Sequence, residues 1–285
     1  MKSIINNYIS LFRPHHWIKN LIIFFPPFFS GSFGLDFINV KNFVPFIAFC
    51  LISSSGYIVN DILDVEYDKQ HSIKKNRPLA SGLISKNKAY LIAVFLFILS
   101  IILSYTVGMN FSFYIIGYLI LSLFYSFYLK KLPVIDIFTI SAGFLIRITS
   151  GGIAYLIEIS EWLFVAVFLV SLLLATGKRA AETTFMSEKK SSALLKSIDR
   201  YPPSFLMSLL WFSAGASLVS YTVYVIEHNW TIYNIPLVTF GLLRYIYIVA
   251  EGKGEGDPTK AILSDKLLML TGVSWILIVW WSVYN

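Results

Sequence analysis

Between Ala89 and Val107 the chain carries no charged side chain, and the stretch Phe111–Leu129 just after it carries none either. Runs of this kind reach the roughly 17–25 apolar residues that a helix needs to cross a bilayer. In hydrocarbon every backbone N–H and C=O must be satisfied internally, which leaves helices or closed barrels. No run alternates apolar and polar residues as barrel strands do, so the pattern predicts an all-α integral membrane protein. Composition agrees, since 56% of residues are hydrophobic against about 45–50% in soluble domains.

The apolar runs predict nine spans, approximately Trp17–Phe33, Phe43–Leu63, Ala89–Val107, Phe111–Leu129, Val134–Ile157, Trp162–Gly177, Phe205–Ile226, Ile232–Val249 and Leu267–Tyr284. Pro26-Pro27 interrupts the first. With the N-terminus inside, one face receives Lys2, Arg13, Lys19, Lys69, Lys74, Lys75, Arg77, Lys86, Lys88, Lys130 and Lys131. It also receives Lys178, Arg179, Lys189, Lys190, Lys196, Arg200, Lys253, Lys260 and Lys266, whereas the other face has only Lys41 with Asp36, Glu158, Glu161 and Glu227 in or beside its loops. The positive-inside rule makes the basic face cytoplasmic and puts the C-terminus opposite. Topology thus accounts for the net charge of +7 without a nucleic-acid partner. The N-terminus lacks a signal cleavage site and is expected to stay attached. Cys50, the only cysteine, lies in a span, which excludes an intramolecular disulfide and suggests packing. No linker divides the chain, and residues 1–285 read as one domain in which the two longest loops, after the second and sixth spans, fall on the same face.

The second span ends in Asn60-Asp-Ile-Leu-Asp-Val-Glu-Tyr-Asp68. If the helix continues, Asp61, Asp64 and Asp68 at i, i+3 and i+7 lie within roughly 60° on one face, with Glu66 pointing away. Three mutually repelling carboxylates before Lys74, Lys75 and Arg77 point to a divalent cation, and oxygen-only ligands suggest Mg²⁺ shared with substrate phosphates. The sixth span ends in Gly177-Lys-Arg-Ala-Ala-Glu182. Lys178 and Glu182 at i, i+4 read either as a helix-stabilising pair or, with Arg179, as a phosphate clamp, and the basic face favours the clamp. Lys130 ends the fourth span on the same face, either as a further phosphate ligand or snorkelling to headgroups. Arg147 lies inside the fifth span, where a charge is expensive and needs a cavity, a substrate or a partner such as Asp136. Arg244 follows the same logic. Arg13 and Lys19 could hold a lipid phosphate. His15 and His16, being adjacent, read as interface residues rather than metal ligands, and Trp17 as a belt aromatic.

The run from Asn60 to Asp68 matches NDxxDxxxD, and the chain resembles the UbiA-type intramembrane prenyltransferase superfamily in span number and in its two loops. The resemblance implies a nine-helix bundle with a central cavity open to the cytoplasmic side. Within that superfamily it is most similar to the branch that transfers phosphoribose to a polyprenyl phosphate. Arg13-Pro-His-His-Trp-Ile-Lys-Asn20, Lys74-Lys-Asn-Arg-Pro-Leu-Ala-Ser-Gly82, Ala142-Gly-Phe-Leu-Ile-Arg147, Gly177–Glu182 and Arg244-Tyr carry that similarity. Aromatic prenyltransferases usually have a second Asp-rich motif after helix six, where this chain has Lys178, Arg179 and Glu182.

The resemblance implies 5-phosphoribosyl 1-diphosphate as donor and a polyprenyl phosphate as acceptor in an inner membrane. Asp61, Asp64 and Asp68 would hold Mg²⁺ and diphosphate, with Asn60 orienting them. Lys74, Arg77, Lys130, Lys178 and Arg179 would hold phosphates, and Glu182 would position them or bind a metal or ribose hydroxyl. Arg13, Lys19 and Arg147 are expected at the lipid phosphate. A prenyl transfer to an aromatic or other small acceptor is the alternative enzyme, and a lipid or anion transporter the non-enzymatic one. A transporter would more naturally place its charges at midplane on broken helices.

Overall fold

The structure is a computed structural model that describes residues 2–34, 37–70, 74–189, 201–252 and 262–285. Asp36, Lys190, Lys196, Arg200, Lys253 and Lys260 lie outside them. Among the described residues there are helices and no strand. The helices are α1 (Lys2–Phe12), α2 (Phe25–Phe29), α3 (Val40–Leu63), α4 (Val65–Gln70), α5 (Lys86–Val107), α6 (Met109–Phe127), α7 (Ile135–Tyr155), α8 (Glu161–Lys189), α9 (Pro203–Glu227), α10 (Ile235–Ala250) and α11 (Lys266–Tyr284).

Eight helices among the described residues, α3 and α5 to α11, are long and apolar enough to cross a membrane. They match the second to ninth expected spans. The first expected span is built differently. Pro14–Phe24 is a 3₁₀ helix, and Pro26 and Pro27 occupy the first turn of the short α2, where their missing N–H groups cost nothing.

Two compact units divide the chain: unit 1 comprises Met1–Lys130 and Ile146–Glu158, and unit 2 comprises Lys131–Leu145 and Ile159–Asn285. Thus α7 gives its first half to unit 2 and its second half to unit 1.

In unit 1, α3 packs against α5, α6 and the 3₁₀ segment. The core gathers Ile23, Phe49, Ile52, Phe111 and Ile115 around the middle of α3, and Leu11, Ile58, Val65 and Ala89 around its end. Small hydroxyl residues bring α3 and α5 together: Ser55 donates to the Ala93 carbonyl at 2.8 Å and Ser100 to the Ala48 carbonyl at 2.8 Å. A Cβ on Gly151 would lie 2.3 Å from the Ile23 carbonyl oxygen, so only glycine lets α7 meet the 3₁₀ segment this closely.

In unit 2, α8 packs along α9 and against α10, and α10 packs against α11. Ile137, Leu172, Leu173, Leu206, Leu210 and Tyr245 form its core. The apolar stretch of α8 is 61% buried and that of α3 56%, against 11% for α11. The two most interior helices are therefore those whose ends carry the charged motifs, whereas α11 turns apolar surface outward as a lipid-facing helix does.

Candidate active site

In unit 1, α3 stops at Leu63 and Asp64 caps it, its N–H bonded to the Asn60 carbonyl at 3.0 Å. The chain re-enters helix at Val65, and the Asp68 N–H reaches the Asp64 carbonyl at 2.8 Å. Because this i to i+4 spacing survives the break, Asp61, Asp64 and Asp68 stay close to one side. Glu66 is exposed and bonds Lys69 at 3.0 Å, as the helical phase predicts.

Each of the three carboxylates meets a cation. Arg77 NH1 donates to Asp61 Oδ1 at 3.0 Å and to Asp68 Oδ2 at 2.6 Å. Arg13 NH2 donates to the same Asp61 oxygen. Lys130 Nζ donates to Asp64 Oδ1 at 2.6 Å and to Asn60 Oδ1 at 3.3 Å, while Asn60 Nδ2 donates to Asp64 Oδ2 at 3.0 Å. Asp61 and Asp68 are buried, and buried carboxylates need such partners to remain charged. The mutual repulsion that suggested a metal is thus already offset by Arg13, Arg77 and Lys130.

Arg13 reaches Asp61 from a left-handed backbone, φ 53° and ψ 58°, which costs a non-glycine residue about 1–2 kcal/mol. Ser54 holds the turn by donating to the Phe12 carbonyl at 2.8 Å and accepting from Trp17 Nε1 at 3.0 Å. Trp17 is therefore bonded to α3, beyond any belt role. Arg13 and His16 both lie against Tyr57, with 5.5 Å and 5.2 Å to its ring centroid. Lys74 lies over the Tyr67 ring at 5.8 Å, and Lys19 is half-buried on the 3₁₀ segment beside Asn20.

A divalent metal can be tested against this geometry. Among the described residues no three Asp, Glu, His or Cys side chains form a cage. Asp61 and Asp68 nevertheless open onto one point, since a single nitrogen touches both. That suits Mg²⁺, which takes one or two carboxylates and completes its shell with water and substrate phosphates.

In unit 2, Arg179 Nε donates to Asp136 Oδ2 at 2.6 Å, and its NH1 donates to Glu182 Oε2 at 2.7 Å. Asp136 Oδ1 accepts from its neighbour Ile137 N at 2.8 Å and from the Tyr201 hydroxyl. Burial and the Asp136 carboxylate push the Tyr201 phenol well above its ordinary pKa, so it remains a donor. Lys178 stands beside Arg179 on α8, half-buried. Gly177 just before them leaves room for Tyr245, whose hydroxyl a Cβ would approach to 2.2 Å.

Arg147 has other neighbours than the expected Asp136. Its Nε donates to Asn20 Oδ1 and its NH2 to the Tyr118 hydroxyl, each at 2.7 Å, and its guanidinium lies 4.5 Å from the Tyr118 ring centroid. Asn20 also donates to Ser53 Oγ at 3.2 Å and Cys50 Sγ at 3.4 Å. Cys50 is buried in this packing. Arg244 bonds Asp265, the N-cap of α11, at 2.7 Å.

The structure therefore brings Asn60, Asp61, Asp64, Asp68, Arg77, Lys130 and Arg13 into one cluster, and Arg179 and Glu182 into another. Sequence reasoning missed the partner roles of Asn20 and Tyr201. Asn20 is the only amide side chain in the run Trp17–Phe33, and that was its signal. Tyr201 had none.

The UbiA prenyltransferase family model matches residues 25–269. Decaprenyl-phosphate phosphoribosyltransferase of Corynebacterium glutamicum is 35% identical over 299 residues, covering 99% of this chain and 88% of that protein. The enzyme of the same name from Mycolicibacterium smegmatis is 31% identical, covering 96% of this chain and 92% of its own length. A UbiA homolog from Archaeoglobus fulgidus, bound to GPP and Mg²⁺, superposes with a TM-score of 0.72 at 18% identity, covering 98% of this chain and 99% of that one. By model match and full-length identity, the chain belongs to the UbiA prenyltransferase family.

Proposed function

We propose that the protein transfers 5-phosphoribose from 5-phosphoribosyl 1-diphosphate to a polyprenyl phosphate and releases diphosphate. The observation that carries this reading is 35% identity over 99% of the chain to an enzyme named for that acceptor and that transferred group. The bond from C1 to the diphosphate oxygen breaks as a bond from C1 to a lipid phosphate oxygen forms. Diphosphate leaves as an anion, and the acceptor phosphate, ionised near neutral pH, needs no general base.

Asp61 and Asp68, which converge on one point, would hold Mg²⁺, with Asp64 held beside them by Asn60 and Lys130. When bound, that ion would offset charge on the departing diphosphate. Arg77 and Lys130, within hydrogen-bond reach of those carboxylates, are placed to turn to phosphate oxygens. Lys74, Lys178 and Arg179 serve the donor's phosphates and Glu182 holds Arg179. Arg13 joins the carboxylate cluster rather than the acceptor's headgroup, leaving Lys19 as the acceptor-phosphate candidate. Arg147, about twelve residues into α7 and so roughly 18 Å from its start, is assigned to packing.

We assign the basic loops to the cytoplasmic side of the inner membrane and residues 1–285 to one UbiA-like domain. Eleven 3₁₀ residues at about 2 Å each, with five α-helical ones at about 1.5 Å, reach roughly 30 Å. That length matches the hydrocarbon thickness and supports reading Pro14–Phe29 as a ninth crossing.

Purified protein given labelled phosphoribosyl diphosphate, polyprenyl phosphate and Mg²⁺ should form a labelled lipid, and chelation should stop it. Label transfer only from a prenyl diphosphate to an aromatic acid would replace this reading with the alternative enzyme. Lipid or anion transport without bond cleavage would replace both.

A further inference from the structure

Three elements of unit 2 meet at one carboxylate. Asp136 stands in the first turn of α7, Arg179 ten residues before the end of α8, and Tyr201 just before α9. Oδ1 of Asp136 accepts from Tyr201 and from the Ile137 N–H, and Oδ2 accepts from Arg179 Nε. The Tyr201 oxygen itself accepts from the Val134 N–H. Both oxygens of the carboxylate are therefore directed, and so is the hydroxyl that directs one of them.

The backbone is bent to allow this. Val134 has φ 69°, a region that β-branched residues avoid, and its amide is the group that aims at Tyr201. Strain of this kind persists where the surroundings hold it, and it clusters at functional sites. On its far side Arg179 is held by Glu182 at 2.7 Å, so its guanidinium plane is set from two edges.

We propose that Asp136 is a positioning residue for donor binding: it fixes the guanidinium of Arg179, while Tyr201 and the Ile137 amide fix Asp136. The proposal rests on the reading of Arg179 as a ligand of the donor's phosphates. A planar fork recognises phosphate only in the right orientation, and a carboxylate on Nε, with Glu182 on NH1, sets that orientation. Asp136 acts only through Arg179. A tie that merely joins α7 to the start of α9 through Tyr201 would instead matter whether or not Arg179 were present.

That difference makes a double-mutant cycle decisive. The full-length protein in lipid nanodiscs, as wild type, Asp136→Asn, Arg179→Ala and the double variant, is titrated calorimetrically with inorganic diphosphate and Mg²⁺. The donor and acceptor KM values are measured alongside. Asparagine keeps the shape and the acceptor for Tyr201 but removes the charge facing Nε.

Asp136→Asn should weaken diphosphate affinity and raise the donor KM by about tenfold, the size typical of lost outer-shell orienting partners. The acceptor KM should stay within about twofold of wild type. Added to Arg179→Ala, the same change should shift diphosphate affinity by no more than about twofold. Tyr201→Phe should act in the same direction with a smaller effect, again only when Arg179 is present. Equal losses in both backgrounds, or wild-type diphosphate affinity in Asp136→Asn, would overturn the proposal. If wild-type protein binds diphosphate but turns over only a prenyl diphosphate, the proposed function falls while the cycle still judges Asp136. Absence of diphosphate binding in wild type would overturn both.

Discussion

Asp61 and Asp68 share one hydrogen-bond donor, the NH1 of Arg77, at 3.0 Å and 2.6 Å. Their oxygens converge on a single point, and a positive group occupies it. With Arg13 on Asp61 and Lys130 on Asp64, three cations face three carboxylates and the cluster is neutral. A metal and a diphosphate arriving together largely offset each other's charge, and the carboxylates can turn to the metal and the cations to the phosphates. A metal arriving alone lacks that offset.

Arg77 should therefore oppose metal in the absence of diphosphate. In Arg77→Ala, Mn²⁺ measured by electron paramagnetic resonance should bind more tightly than in wild type by about tenfold, the order of a lost charge-assisted contact. Diphosphate, which tightens Mn²⁺ binding in wild type, should do so less in the variant. Unchanged or weaker Mn²⁺ binding would show that Arg77 does not compete for this site.

Gly177→Ala should lower both activity and stability, because its Cβ would lie 2.2 Å from the Tyr245 hydroxyl on a buried side chain. Overpacking of this kind costs about 1–3 kcal/mol. Tyr245→Phe in the same chain removes the nearest atom and should restore part of the melting temperature. Equal losses in Gly177→Ala with and without Tyr245→Phe would show that the contact is not the cause.

Asn20→Leu should cost about 1–3 kcal/mol, since it deprives Arg147 Nε of an acceptor in an apolar interior. Removing both partners in Asn20→Leu/Arg147→Met should be less damaging than the sum of the single changes. Thermal unfolding in detergent measures this. Strictly additive losses would mean that Asn20 is not retained for Arg147.

Arg244 and Asp265 carry a pH signature. The Arg244 hydrogen bond, helped by the Leu268 N–H, holds Asp265 below its ordinary carboxylate value of 3.8. A depressed folded value means stability that is present above pH 3.8 and lost as pH falls through the folded pKa. Asp265→Asn should lower the melting temperature at neutral pH, and the gap to wild type should narrow as pH falls below 3.8. A gap that stays constant would remove Asp265 from the acid response.

Eight of the nine expected spans correspond to long apolar helices, because hydrocarbon forces each to satisfy its own backbone and so to be written as an uninterrupted run. Trp17–Phe33 did not follow that logic. Pro26 and Pro27 start the separate short α2, and the residues before it, packed through Asn20, Ile23 and Gly151, take 3₁₀ geometry, which has no apolar period of its own in sequence. Asp61, Asp64 and Asp68 were legible from spacing alone because helical phase survives the break at Asp64. The partner of Arg147 was not, since burial in a span demands some partner without specifying which element supplies it. Asp136 was assigned to the wrong arginine for that reason: proximity in sequence favoured Arg147, whereas Arg179 reaches it across 43 positions.

The identity of the transferred group separates phosphoribosyl transfer from prenyl transfer. Wild-type protein offered phosphoribosyl diphosphate and a prenyl diphosphate together, with polyprenyl phosphate, an aromatic acid and Mg²⁺, should yield one new species by mass spectrometry: polyprenyl phosphate bearing a phosphoribosyl group. Asp61→Asn, inserted normally in the membrane, should yield none. A prenylated aromatic acid as the sole product, or unchanged product formation in Asp61→Asn, would contradict the account.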